Sequence, residues 1–190
     1  MNRRVLAATF IGFAVPAAIG FAMPAAAQDA PPNLRPTRDV AVTYRTTEPS
    51  GPPTEMRMAW AVAAGKLRVD LPGGGEWMLL QADGSGVAVN DADRTVSTVD
   101  SSVGAAMAGL VPPGARYARR GAARVADTPC TDWEVVVPQG RLMACLTGDG
   151  VLLRSLAGAG QNTHRLEATL VRYDPPASLF AVPAGYREVR

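Results

Sequence analysis

The sequence predicts a mainly β domain, a twisted antiparallel sheet forming an incomplete (half) barrel with one short covering helix. Three observations point there. Short alternating segments recur about every ten residues, turn chemistry separates them, and only one longer stretch has helical spacing.

The expected strands are Asp39–Thr46, Glu55–Ala63, Lys66–Leu71, Glu76–Ala82, Gly86–Asn90 and Arg94–Val99. After a break come Arg116–Arg124, Thr131–Val137, Arg141–Thr147, Val151–Leu156 and His164–Tyr173. Pro72-Gly73-Gly74-Gly75, Asp83-Gly84-Ser85-Gly86 and Gly148-Asp149-Gly150 punctuate them. All pairings are expected to be antiparallel. One hairpin is testable from residues alone. A turn at Ala64-Gly65 sets Val62 opposite Leu67, Trp60 opposite Val69 and Met58 opposite Leu71. Arg57, Ala59, Ala61, Arg68 and Asp70 then share the other face. A one-residue slip destroys this match, because side chains alternate with a period of two.

Ser101–Leu110 reads as the covering helix. Asp100 or Ser101 can cap it, and Val103, Ala106, Met107 and Leu110 fall on one face. Gly104 and Gly109 weaken it and Pro112-Pro113-Gly114 end it, so it needs the sheet for support. A shorter helical turn is expected at Pro176–Phe180.

The ends and the charge bound the class. Met1-Asn2-Arg3-Arg4, an apolar run to about Met23 and Pro24-Ala25-Ala26-Ala27 have the three-part layout of a signal peptide over residues 1–27. Two prolines, two glycines and the alanine exit disfavour a permanent span. Residues 28–37, with Pro31, Pro32 and Pro36, are expected to be a disordered leader. Residues 38–190 then form a single domain in the periplasm. Without Arg3 and Arg4 the net charge falls from +2 to zero, which removes any general attraction to nucleic acid. In an oxidising compartment Cys130 and Cys145 are expected to pair. Two buried thiols are the alternative, since a turn at Pro138-Gln139-Gly140 sets Cys145 opposite Trp133, three positions from Cys130.

Catalytic chemistry is sparse. The one histidine, His164, has no nucleophile or orienting carboxylate nearby in sequence. The serine-hydrolase, zinc-protease and phosphate-loop motifs are absent from the sequence. Asp91-Ala92-Asp93 lacks the rest of a calcium loop. No metal or cofactor is expected, and the chain is expected not to be an enzyme. Arg116, Arg119, Arg120 and Arg124 form the one basic cluster, either a surface for an envelope protein or a solvated edge strand. Met56, Met58, Trp60, Val62, Leu67 and Val69, with Met107 and Leu110 of the helix, make an apolar concave face. Such a face can line a pocket or fill a core.

A resemblance runs through Asp39-Val40-Ala41-Val42-Thr43-Tyr44-Arg45, Met56-Arg57-Met58, Lys66-Leu67-Arg68-Val69-Asp70, Pro129-Cys130-Thr131-Asp132-Trp133-Glu134-Val135 and Leu179-Phe180-Ala181-Val182-Pro183-Ala184-Gly185-Tyr186. In that order these segments resemble the LolA-like envelope proteins. The resemblance implies an incomplete antiparallel barrel around a hydrophobic cavity and a habit of binding apolar ligands, a lipid, acyl chain or lipidated protein. A ligand-free interaction module is the competing expectation. An outer-membrane barrel fits poorly, because the strands are short and aromatic residues make up only 6%.

Overall fold

The computed structural model of the chain describes residues 30–102, 114–138, 140–158 and 162–189. Among them twelve strands form one sheet: β1 Val40–Thr47, β2 Thr54–Ala61, β3 Lys66–Asp70, β4 Glu76–Gln81, β5 Gly86–Asn90, β6 Thr95–Val99, β7 Arg116–Val125, β8 Thr128–Val137, β9 Gly140–Leu146, β10 Leu152–Ala157, β11 His164–Tyr173 and β12 Arg187–Glu188. The spatial order is β12-β6-β5-β4-β3-β2-β1-β11-β10-β9-β8-β7. Two meanders, β1–β6 and β7–β11, are therefore joined along one long-range seam, β1 against β11. Bulges interrupt the β1·β11, β9·β10 and β7·β8 ladders. Such bulges bend a strand and raise its twist, and β7 curls back toward β11. The ladder nevertheless runs from β12 to β7 without joining them, so the sheet stays open.

The expected strands all form, but their pairing differs in three places. The sheet is not wholly antiparallel, because β12 pairs with β6 in parallel. In the β2–β3 hairpin Met58 stands opposite Val69 and Trp60 opposite Leu67, two positions from the expected register. The turn is wider than Ala64-Gly65. It spans Val62 to Gly65, with the Gly65 N–H donating to Val62 O at 3.1 Å and Gly65 at φ +61°. A two-residue turn would favour left-handed geometry at Ala64 as well, which a Cβ opposes. Since the shift is even, every side chain keeps its face. In the β8–β9 hairpin Gly140 pairs with Val137, so Cys145 lies opposite Asp132 rather than Trp133. That odd shift puts Cys145 on the same face as Cys130, as a diagonal neighbour with a Cα–Cα distance of 5.6 Å. The two are joined in a disulfide, closing a loop worth about 3 kcal/mol in the chain-entropy model.

The main core lies on the inner face. Val40, Val42 and Tyr44 of β1 meet Met58, Leu67, Val69, Met78 and Leu80, with the disulfide, Val151 and Leu153 completing it. Tyr44 is buried, which pushes its phenol pKa up, and its hydroxyl donates to Leu152 O at 2.8 Å. A second cluster, Trp77, Leu79 and Val89 on the outer face, is covered by the carboxyl-terminal segment. There a 3-10 turn, Ala177–Phe180, brings Phe180 down, and Tyr186 packs beside it. At the expected helix, Ser101 and Ser102 are helical and Asp100 accepts the Ser102 N–H at 2.8 Å, as a capping residue does. Residues 103–110, Met107 and Leu110 among them, lie outside the described residues.

Candidate functional site

The inner row of the β2–β3 hairpin separates into a sealed part and an open part. Val69 is fully buried and Met56, opposite Tyr44, packs against the same core. Toward the hairpin tip the row opens into a cavity of about 220 Å³. Four expected residues, Met58, Trp60, Val62 and Leu67, line it together. Trp60 is half-buried and Val62 is 38% exposed, so the floor is apolar and reachable. Gln81 and Ala82 close one side.

The opposite wall is the segment expected to be disordered. Leu34, Arg35 and Pro36 line the cavity, Pro36 is buried, and Leu34 packs against the third core cluster around Val135, Ala144 and Leu146. The loop Thr147–Val151 latches this strap. Asn33 Nδ2 donates to Gly148 O at 3.1 Å, and Thr37 N donates to Asp149 O at 2.9 Å. Arg38 donates to Asp149 Oδ2 at 2.9 Å while its guanidinium lies 3.5 Å above the Tyr173 ring. Gly150, at φ +86°, admits the strap. A Cβ there would stand 2.1 Å from Arg35 O. Burial disfavours charge on Asp149, but hydrogen bonds from Thr147, Arg38 and Tyr173 outweigh it and hold the carboxyl below its ordinary pKa.

Composition hid this wall, because three prolines read as disorder. The signal it did contain is Leu34, the one large apolar side chain between Gln28 and Thr37.

The outer face of the same strands holds a larger hollow, about 810 Å³, over Ala41, Thr43 and Ala59. Its walls are charged and largely self-paired. Arg57 meets Glu55 at 3.0 Å, and Arg68 meets Asp70 at 2.7 Å while stacking 3.8 Å over Trp77. Size alone would choose this hollow. The smaller cavity is the better apolar site, because apolar side chains rather than ion pairs make up most of its lining.

The basic cluster occupies β7, the terminal strand of the sheet. Arg120 pairs with Glu134, which also receives Arg141 at 3.0 Å, and Arg124 donates to Asp127 O. These contacts, the hydrogen bond from Arg120 first, hold Glu134 below its ordinary pKa. Arg116 and Arg119 are exposed. His164 meets the Glu48 carboxylate at the surface. No group of three metal-ligating side chains occurs among the described residues, and no helix among them is long and apolar enough to cross a membrane.

No family model and no curated protein matches the chain by sequence. In shape it is similar to an uncharacterized conserved protein from Thermus thermophilus, at a TM-score of 0.57 and 13% identity over 81% of this chain and 91% of that one. It is also similar to a chain of the Pseudomonas aeruginosa MucA/MucB complex, at a TM-score of 0.54 and 14% identity, over 78% of this chain and 56% of that one. It shares their fold. At such identities the likeness is one of fold alone, and the chain spans little more than half of the matched chain in the complex. A putative outer membrane lipoprotein-sorting protein domain from Vibrio parahaemolyticus also matches, at 11% identity and a TM-score of 0.37.

Proposed function

We propose that the protein is a periplasmic binding or carrier module that holds an apolar ligand, a lipid, an acyl chain or a lipidated protein. The observation that carries this reading is the cavity over Met58, Trp60 and Leu67, walled by a strap that residues far along the chain hold in place. Water in such a cavity has few polar partners, so an alkyl group displaces it favourably. At about 220 Å³ the cavity is below the usual ligand range of roughly 300–1,000 Å³. It therefore suits one chain, and release of the strap would enlarge it. The expected signal peptide and the disulfide fit a periplasmic setting. Binding rather than catalysis is the proposed role.

A ligand-free interaction module is the second reading. The observation in its favour is that Val40, Val69 and Leu80 are sealed, so most of the inner face is already filled. The exposed arginines of β7 would then meet an envelope partner. Native mass spectrometry of protein secreted into a periplasm separates the two. Added mass that organic solvent strips off as lipid, and that Trp60→Asp abolishes in folded protein, supports the first reading. A clean mass with no later uptake of a fluorescent fatty acid overturns it.

A further inference from the structure

The charges around the inner cavity are one-sided. Arg35 and Lys66 border it, and among the described residues no Asp or Glu lines it. Lys66 turns to the other face, where its ammonium donates to Phe180 O at 3.3 Å. The carboxylate that approaches the rim, Asp39, accepts the Val62 N–H at 2.7 Å. Arg35 is different. Its guanidinium is exposed and has no hydrogen bond, ion pair or ring contact among the described residues, yet its backbone is fixed. The Asn33 and Thr37 contacts flank it, and Arg35 O lies where a Cβ of residue 150 would be. A residue that carries a cation without an internal partner is thus fixed by its backbone in the lining of an apolar cavity.

We infer that the ligand is a free fatty acid with a single alkyl chain, its carboxylate at Arg35 and its chain along Met58, Trp60 and Leu67. The inference rests on the apolar-site reading and adds the headgroup. With the strap latched, the cavity of about 220 Å³, below the usual ligand range of roughly 300–1,000 Å³, has room for one alkyl chain rather than the paired chains of a diacyl lipid. The guanidinium presents a fork of donors that matches a carboxylate in two-point contact. The strap has already lost part of the backbone freedom that ordering this contact would otherwise remove.

The test is calorimetric titration of the whole protein with octanoate, 1-octanol and octylamine. Octanoate is expected to bind about fivefold to tenfold more tightly than octanol, with octylamine weakest. Arg35→Gln should bring octanoate affinity down to that of octanol and so erase the preference. Equal affinity for octanoate and octanol in the unaltered protein overturns the headgroup assignment alone. So does an Arg35→Gln variant that weakens both ligands alike, since that describes packing and not charge. If none of the three binds, the apolar-site reading falls and the headgroup assignment falls with it.

Discussion

The two faces of the β2–β3 hairpin carry different surfaces on the same few residues. Inward, Met58, Trp60 and Leu67 border a small apolar cavity. Outward, Arg57, Arg68 and Asp70 border a hollow nearly four times larger. The larger space is lined by charged groups, the Arg57–Glu55 and Arg68–Asp70 pairs among them, so little is gained by filling it with an apolar group. The smaller one keeps apolar groups next to solvent. Alternation along a strand is enough to produce both, and the chemistry of the lining, more than its volume, separates a site from a groove.

The comparison can be broken most severely at the sealed end of the inner row. Val69→Asp would bury a carboxylate with no partner, at a cost of several kcal/mol. Against a total stability of about 5–15 kcal/mol, the variant is expected to be largely unfolded by circular dichroism and urea titration. A smaller, local effect is expected from Gly150→Val. Its side chain would meet Arg35 O and adopt φ +86°, a strain of roughly 1–3 kcal/mol. The Thr37 amide should lose hydrogen-exchange protection while the β1 amides keep theirs.

Acid should act on the same latch more weakly. The Asp149 carboxyl has a folded pKa below its unfolded value, so its ionised form stabilises the strap. That contribution is present above about pH 4 and is lost as pH falls through the lower folded pKa. For a partly exposed pair it is on the order of 1 kcal/mol. The Thr37 amide resonance should titrate in that window, and Asp149→Asn should abolish the titration. Smallest of all, Arg57→Ala on the outer face should shift stability by no more than about 0.5 kcal/mol. Octanoate affinity should not change.

Much of this architecture was legible because strands with one dry face declare themselves by alternation. The sides taken by Met58, Trp60, Leu67 and Val69 follow from sequence even though the register is displaced, since an even displacement preserves sidedness. Turn lengths were less legible. Neither the Val62–Gly65 turn nor the Gly140–Val137 pairing has a strong local signature. β12 is two residues long, and its parallel partner makes no pattern that a sequence can display. The site was half legible. Leu67 and Val69 look alike in sequence, and only the packing around them makes one a cavity wall and the other a sealed core residue. The strap was hidden for a related reason. Leu34 and Pro36 are ordered by a loop more than a hundred residues away, and composition carries no information about such a partner.

The seam between β1 and β11 bears on how the molecule assembles. Each meander closes by hairpins between neighbours in the chain, which form quickly, whereas the seam must bring together Val40 and Tyr173 from opposite ends of the described chain. The cavity floor belongs to the first meander, and the loop that holds its wall belongs to the second. Neither half alone can build the pocket. Ligand uptake during refolding would therefore time the closing of the seam, and a chain released before β10 and β11 are made would carry an apolar face with nothing to cover it.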